Sequence, residues 1–303
     1  MNQPIIRTFS HHYRQKYGVP VGKIPIDTGM ICPNREKGGC IFCRPASFTP
    51  GYLDGTDDYL TQIERGKNTI LKGRFSKYFA YFQQETCTAV PVDSFLPALS
   101  VILEDPDCIG LILSTRPDYV NDDLLEPLAS LIFEKKKECL FELGLQTVHD
   151  KSLQLLNRNH SYHDFTNCVH RIKGYGKFEI GVHLIFGIPK ENEEEMLVSV
   201  DKVCKLGINA LKLHHLQVIR GTELEKMYQH NQFSPFTLDG YLEFLQKALV
   251  RIPSDITIHR LWATSHPELL VAPRWDILAT HLSQKLQKKL QHNGLFQGSA
   301  NLR

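Results

Sequence analysis

The sequence predicts an α/β fold, a partial (β/α)6 barrel of the TIM type with short extensions at its N-terminal and C-terminal ends. Six short apolar runs alternate with five longer stretches of helical periodicity, a pattern typical of right-handed βαβ units around a parallel sheet. Within several of these runs polar residues alternate with apolar ones, whereas strands buried on both faces of an open sheet are continuously apolar. The chain has 303 residues, 42% of them hydrophobic, which is enough for one barrel core.

The elements follow one another in regular order. The strand candidates are residues 23–27, 77–83, 108–114, 140–147, 179–186 and 210–217. The helix candidates between them are residues 57–72, 94–104, 122–136, 162–173 and 193–206. A further strand candidate (256–261) and a basic helix (275–292) follow. Because no repeat, low-complexity tract or linker separates them, we expect a single domain over residues 1–303, with a core of about 20–230 and a C-terminal extension over 231–303.

The alternation within the strands predicts which side chains point into the barrel. Bulky apolar residues should face the helices, which sends the polar residues between them inward. The inward residues are then Glu142 and Gln146 of the fourth strand, His183 of the fifth, and Lys212 and His214 of the sixth. Such an interior suits a barrel that encloses a ligand. A buried Glu142–Lys212 pair without any chemistry explains the same pattern.

The bulk composition excludes few classes of protein. A formal net charge of +2 is close to neutral and argues neither for nor against binding of nucleic acid. No run reaches the roughly 18 apolar residues of a membrane span, so we expect no membrane partner. The first residues of the chain contain no apolar signal core, and we therefore expect a cytoplasmic protein.

Three of the eight cysteines lie close together in the sequence. The other five are scattered singly and are expected to be small buried hydrophobic residues: Cys87, Cys108, Cys139, Cys168 and Cys204. The cluster is Cys32, Cys40 and Cys43, in a C-x7-C-x2-C pattern directly after the first strand. This loop would lie at the carboxyl end of the strands, where barrel enzymes have their active sites. In a reducing compartment such a cluster indicates a metal site or catalytic thiols.

Three thiolates without a neighbouring fourth ligand favour an iron–sulfur cluster. A structural zinc site takes four ligands, yet the nearest histidine, His12, is 20 residues upstream of Cys32 and no second C-x2-C pair exists in the sequence. A 4Fe–4S cluster held by only three cysteines leaves one iron atom open. S-adenosylmethionine can chelate that iron through its amino and carboxylate groups, a pairing used in radical chemistry. Zinc with a remote ligand and thiols without a metal remain alternatives.

Several motifs resemble those of a known family. The cysteine pattern, with Phe42 before its last member and a βα barrel behind it, resembles the radical S-adenosylmethionine (radical SAM) superfamily. Residues 142–149, 157–160 and 183–191 are similar to the branch that contains the Elongator catalytic subunit and the methylthiotransferases. Residues 211–222 and 258–261 resemble, more specifically, a bacterial subfamily of the YhcC/YtqA type. The likeness extends from about residue 13 to residue 290.

The resemblance implies a role for each matching residue. Cys32, Cys40 and Cys43 would be the cluster ligands, and they carry the catalysis. The cofactor-binding residues would be Phe42 beside the adenine; Gln83 and Gln84 at the methionine amino group; Ser114 and Arg116 in a loop on the ribose side; Glu142 and Gln146 facing the cofactor; Arg158 at the methionine carboxylate; Gly187 and Pro189 against the adenine; and Leu216 and Gln217 on its far side. Phe42 is equally explained as a hydrophobic residue that shields the cluster.

The implied activity is the reductive cleavage of S-adenosylmethionine. A flavodoxin or ferredoxin would deliver one electron, and a 5′-deoxyadenosyl radical would abstract hydrogen from a substrate, for which tRNA is one candidate by analogy with relatives. Such an enzyme would be a transferase. Two other hypotheses stay open: a non-catalytic iron–sulfur or S-adenosylmethionine-binding sensor or partner subunit, and a zinc-dependent barrel hydrolase using His183, His214 or His215.

Three features depart from the family pattern. The cysteine loop is shorter than the subfamily resemblance leads us to expect, yet longer than the usual C-x3-C-x2-C of the superfamily. Asn159 and Lys190 each stand where glycine is usual. These departures concern the conformation of loops. Cys87, just beyond the second strand, is a further candidate for chemistry.

Overall fold

Seven parallel strands form one sheet in the computed structural model, which describes residues 4–302. The strands in chain order are β1 (Val21–Ile26), β2 (Lys77–Phe82), β3 (Cys108–Thr115), β4 (Glu138–Gln146), β5 (Glu179–Phe186), β6 (Ala210–His215), β7 (Val218–Ile219), β8 (Thr257–Arg260) and β9 (Leu270–Ala272). The sheet has the order β1-β2-β3-β4-β5-β6-β8, and β7 pairs separately with β9 in antiparallel orientation. The six predicted barrel strands are confirmed, and the further strand predicted over 256–261 is the seventh member of the sheet.

The sheet curls into a partial barrel. Seven flat strands would separate the two edge strands by about 29 Å, at about 4.8 Å per neighbouring pair. Instead, Lys23 Nζ of β1 lies 3.2 Å from His259 Nδ1 of β8, the strand at the opposite edge. Only a curved sheet brings these two side chains together, so its concave face encloses an interior.

Helices cover the convex face. They are α1 (Phe9–Tyr17), α2 (Tyr59–Gly66), α3 (Val92–Leu103), α4 (Asp122–Lys135), α5 (Asp150–Leu155), α6 (Tyr162–Gly174), α7 (Glu193–Cys204), α8 (Glu223–Gln229), α9 (Leu238–Arg251) and α10 (Ala279–His292). Reciprocal capping boxes fix the starts of α6 and α7, with Ser161 and Asp164 at one and Asn192 and Glu195 at the other. No helix in the described part of the chain is long and apolar enough to cross a membrane.

The five predicted crossover helices and the C-terminal helix are confirmed, and the largest differences are at one end of α2 and at the start of α10. α2 is shorter than predicted because a π-helical turn, Lys67–Leu71, replaces its last residues. The C-terminal helix begins at Ala279 rather than at Trp275, because the Trp275 indole N–H donates to the carbonyl oxygen of Phe236 and holds the preceding segment in a non-helical path. Helices α1, α5, α8 and α9 were not predicted.

Alternation along the strands divides apolar from polar side chains as predicted. Buried Leu111, Leu143 and Leu184 belong to the main apolar layer between the sheet and its helices. Glu142 and Lys212, one residue before Leu143 and Leu213 in their strands, meet each other inside the barrel at 2.7 Å. The interior is therefore polar at the level of the middle of the strands.

Helix α1 closes the amino-terminal end of the barrel. It contacts both edge strands, β1 and β8. Its buried Phe9 and Tyr13 pack with Phe79, Ile112 and Leu140 in a separate apolar cluster inside the barrel. Because this end is filled, the interior opens toward the carboxyl ends of the strands, where the loop after β1 lies.

Candidate active site

The loop between β1 and α2 carries the three clustered cysteines. Cys32 precedes a 3₁₀ turn, Pro33–Lys37, and two left-handed glycines follow it, Gly38 at φ 90° and Gly39 at φ 73°. A side chain would strain both glycines. The buried Asn34 donates to Cys40 Sγ at 3.3 Å and to the carbonyl oxygen of Asn157 at 2.8 Å. The seven residues between the first two cysteines are thus folded into a defined turn.

Each cysteine sulfur has a polar side chain close to it. The Thr86 hydroxyl lies 3.1 Å from Cys32 Sγ. Arg158 Nη1 lies 3.2 Å from Cys40 Sγ, and Arg35 Nη2 lies 3.9 Å from Cys43 Sγ. Donors of this kind stabilise thiolates, which are the form that binds metal.

The donor set fits an iron–sulfur cluster. Within residues 4–302 no group of three or more His, Cys, Asp and Glu side chains is arranged to hold a metal ion. In an iron–sulfur cluster each cysteine thiolate binds a different iron atom. The sulfur atoms are therefore spaced differently from ligands that all bind one metal ion. Burial, followed by repulsion from Cys40, raises the pKa of Cys43 to about 12. The thiolate of Cys43 therefore needs a positively charged partner such as a metal, which stabilises the deprotonated form.

Glu85 anchors the cysteine loop, a role that the sequence analysis missed. Its carboxylate accepts from the backbone N–H of Cys32 at 3.2 Å and forms an ion pair with Arg35 at 3.0 Å. Glu85 itself has φ 53°, a left-handed conformation that costs energy for a residue with a Cβ. Its position two residues after Gln83, at the end of a predicted strand, was the available signal.

One cavity of about 210 Å³ opens at the carboxyl ends of the strands, and all three cysteines line it. Eight of the predicted cofactor-binding residues line the same cavity: Phe42, Gln83, Ser114, Arg116, Gln146, Arg158, Leu216 and Gln217. The structure places the other four away from its wall: Gln84, Glu142, Gly187 and Pro189. The predicted inward residues His183, Lys212 and His214 also line it, together with His215.

The four residues away from the wall have other surroundings. Gln84 is buried and its Oε1 lies 3.4 Å from the Thr49 hydroxyl. Glu142 lies deeper in the barrel, where Lys212 and the Tyr81 hydroxyl, at 2.7 and 2.6 Å, bind the same carboxylate oxygen. Gly187 has φ 86°, and a Cβ there would meet the ring of Phe236.

Asparagines flanking Arg158 join it to the cysteine loop. Asn157 donates to the carbonyl oxygens of Lys37 and Gly39 at 2.8 and 2.7 Å, and Asn159 donates to Asn34 Oδ1 at 2.8 Å. Asn157 and Asn159 both have φ 53°. Asparagine is among the residues that tolerate this conformation, which explains why Asn159 can occupy a usual glycine position.

The other departure from the family pattern has the same cause. Lys190 has φ 70°, again a left-handed conformation. Lysine carries the steric cost of a Cβ there, whereas glycine does not. The backbone geometry at both positions is therefore one that glycine favours, although the residues differ.

Several buried polar atoms on the cavity wall have no hydrogen-bond partner within the described residues. They include Arg116 Nη1, Gln146 Oε1 and Arg158 Nε. Gln146 also has φ 81° at the end of β4. Gly144 makes room for this group, because a Cβ there would come within 3.2 Å of the Arg158 guanidinium. Buried polar groups are normally paired, so these atoms fit a polar ligand such as an amino acid carboxylate and a ribose.

The family is shown by comparison with known proteins. Residues 27–203 match the model of the radical SAM superfamily, and residues 208–292 match that of the radical SAM C-terminal domain. The first match covers more than half of the chain. The chain belongs to the radical SAM superfamily. It is accordingly a radical SAM enzyme, and the resemblance of its motifs to this superfamily is confirmed.

Relatives of this radical SAM enzyme include proteins of its own length. The uncharacterized protein YtqA of Bacillus subtilis is 31% identical over 296 residues, which cover 96% of this chain and 91% of YtqA. Protein YhcC of Escherichia coli K12 is 29% identical, covering 98% and 96%. A tRNA uridine(34) acetyltransferase of Methanocaldococcus infernus is 24% identical, covering 62% of this chain and 34% of its own length.

A solved structure confirms the fold. Elp3 of Methanocaldococcus infernus superposes with a TM-score of 0.70 at 18% identity, covering 91% of this chain and 64% of Elp3. The predicted barrel class is therefore confirmed. The predicted resemblance to the YhcC/YtqA type is confirmed by the identity to YtqA. Radical SAM enzymes use a 4Fe–4S cluster and S-adenosylmethionine, so these two cofactors are assigned to the chain with its family.

Proposed function

We propose that Cys32, Cys40 and Cys43 hold the 4Fe–4S cluster and that the chain cleaves S-adenosylmethionine reductively in the adjoining cavity. One observation carries the proposal: three thiols and a set of unpaired buried polar atoms face the same cavity at the carboxyl end of the barrel. Held by these thiols, a cluster reduced by an external one-electron donor would supply the electron for cleavage of the C5′–S bond of S-adenosylmethionine, with methionine and a 5′-deoxyadenosyl radical as products.

The residues of the chain orient and shield the reacting groups. Arg158 has one nitrogen on Cys40 Sγ and another on the carbonyl oxygen of Gly144, at 2.5 Å. That geometry leaves its Nε for the methionine carboxylate. Gln146 and Arg116 would take the remaining polar groups of the cofactor, and Phe42 and Leu216 would cover its adenine. Together these side chains would exclude water from the cavity, as a carbon radical requires.

The electron donor would approach the exposed side of the cysteine loop. Met30 and Ile31 are 39% and 70% exposed directly before Cys32. Exposed apolar side chains beside a redox centre suit a transient contact with a partner protein. We assign this role to a flavodoxin or ferredoxin in the cytoplasm.

For the substrate we propose a tRNA as one candidate. The support is the relationship to a protein named tRNA uridine(34) acetyltransferase, whose length this chain covers only in part. Nucleoside analysis of total tRNA from cells with and without the gene tests it. A tRNA candidate is abandoned if both nucleoside profiles are identical.

Anaerobic reconstitution tests the cysteine assignment. The protein is loaded with iron and sulfide, reduced with dithionite in the presence of S-adenosylmethionine, and 5′-deoxyadenosine is measured by chromatography. We expect slow release from the natural protein and none from Cys32→Ala, Cys40→Ala or Cys43→Ala. Cys139→Ala, a buried cysteine in β4 away from the cavity, is the matched control and should retain activity.

Two results would contradict the proposal. Release of the nucleoside by a single-cysteine variant would refute the ligand assignment. Tight binding of S-adenosylmethionine without release would instead favour a non-catalytic sensor.

A further inference from the structure

Four inward positions lie side by side across the barrel. Gly144 of β4 pairs in register with His183 of β5, His183 with Lys212 of β6, and Lys212 with Arg260 of β8. We call these residues the interior row. His183, Lys212 and Arg260 line the cavity on β5, β6 and β8. Lys212 and Arg260 also line a second opening beside α1, so they lie between two spaces inside the barrel.

Positive charge is in excess at this end of the cavity. Lys212 forms its ion pair with Glu142. The side chain of Arg260 has no hydrogen bond or ion pair with any residue of the described chain, although its backbone lies in the sheet. Lys23 lies behind them and contacts His259 at 3.2 Å. Burial lowers the pKa of Lys23 to about 7, so the positive charge at this end comes chiefly from Arg260 and from Lys212, beside one carboxylate and in a region largely removed from water, where an unpaired charge is unfavourable.

Two histidines add polar groups without adding charge. The rings of His183 and His214 are 4.2 Å apart, and the Nε2 atoms of both are buried without a partner in residues 4–302. Burial, together with neighbouring Lys212 and Arg260, holds the pKa of each imidazole well below its usual value. Both rings are therefore neutral, and each can donate one N–H to a ligand.

We propose that Arg260 and Lys212, assisted by His183 and His214, bind an oxyanion of the substrate. A guanidinium and an ammonium with neutral N–H donors match a carboxylate or a phosphate. This inference rests on the proposed function, because the site on β5, β6 and β8 lies in the same cavity as Arg116 and Arg158. A substrate held there by its anionic group would extend its reacting carbon toward the cysteine side.

Arg260 allows a sharp test, because replacing it breaks no side-chain hydrogen bond or ion pair within the described chain. Arg260→Gln should therefore leave the folded protein at least as stable as the natural one. It should weaken anion binding by about 30-fold or more, as expected when one member of a buried charge pair is removed. Arg260→Lys should retain part of the binding. Arg14→Gln, which removes an exposed arginine in α1, is the matched control and should bind normally.

The experiment uses the cluster-free protein, so its result is independent of radical chemistry. Inorganic phosphate and malonate are titrated separately at constant ionic strength, with heat of binding and thermal midpoint as readouts. Stronger binding of phosphate points to a nucleotide substrate, and stronger binding of malonate to a small organic acid. Either result supports the site if Arg260→Gln abolishes it.

Three results would overturn the inference. The first is the absence of saturable binding of both anions. The second is equal affinity in Arg260→Gln and the natural protein. The third is loss of binding in Arg158→Gln with retention in Arg260→Gln, which would assign the anion to the S-adenosylmethionine side. None of these outcomes bears on whether the cysteines hold a cluster.

Discussion

Replacing Lys212 with methionine should destabilise the barrel because it removes the cation that is hydrogen-bonded to the buried Glu142 carboxylate. Lys212 Nζ lies 2.7 Å from Glu142 Oε1, and their side chains are 9% and 1% exposed. Breaking a buried ion pair at one end costs about 3–5 kcal/mol. The Tyr81 hydroxyl would remain on the carboxylate, so we expect the lower end, about 3 kcal/mol.

A double-mutant cycle isolates the interaction. Lys212→Met, Glu142→Gln and the double variant are unfolded with urea at pH 7, in cluster-free form. The double variant should be more stable than Lys212→Met alone, because no buried carboxylate is left without its hydrogen-bonded cation, and the coupling between the two sites should be about 2 kcal/mol. Lys289→Met, on the exposed α10, serves as a control with a small effect.

The pH dependence gives a second readout of the same pair. Despite burial, which acts to raise it, attraction from Lys212 and Lys23 holds the pKa of Glu142 well below its usual value. The carboxylate therefore stabilises the fold above the unfolded-state pKa of about 4.5, and this contribution is lost as the pH falls below it. A loss below about 1 kcal/mol in Lys212→Met, or additive single effects, would refute the reasoning.

Two further predictions test packing and protonation. Gly110→Ala should lower the free energy of unfolding in urea by about 3 kcal/mol or more, because its Cβ would overlap the carbonyl oxygen of Glu138 in the adjacent strand. Gly174→Ala is the control, since its Cβ meets open space, and it should cost less than about 0.5 kcal/mol. Equal effects of the two substitutions would contradict the packing. Burial lowers the pKa of His215 to about 3, so NMR of the imidazole should show a neutral ring at pH 5. The free energy of unfolding should fall as the pH is lowered from about 6.5 toward 3, because the unfolded chain binds the proton first. A ring that is already charged at pH 5 would contradict this.

The sequence predicted the barrel because its information is local. Alternation in β4, β5 and β6 fixes which side chains face inward, and the structure confirms this for Glu142, His183 and Lys212. The cysteine spacing placed the three thiols on the loop after β1. Both features depend on residues adjacent in the chain, which a single sequence displays directly.

The elements that the sequence did not predict depend on distant partners. Helix α1 is stabilised by packing of Phe9 and Tyr13 inside the barrel. No periodic pattern of apolar residues in the sequence shows that these two side chains pack there. Glu85 has its role through Arg35, 50 residues away. Gln84 and Glu142 were expected near the cofactor, yet neither lines the cavity wall in the described structure. The alternation of residues along a strand predicts whether a side chain points into the barrel, but it does not show how far that side chain lies from the cavity.

The contacts made by Asn157 and Asn159 bear on how the spacing between cysteines can vary. Asn157 and Asn159 bind the turn between Cys32 and Cys40 from a segment about 120 residues later, and Arg158 between them lies on Cys40 Sγ. A longer insertion normally increases the entropy that must be lost when its ends are brought together. Here hydrogen bonds within the protein already hold the extra residues, so a longer spacing between Cys32 and Cys40 does not loosen the positions of the two thiols.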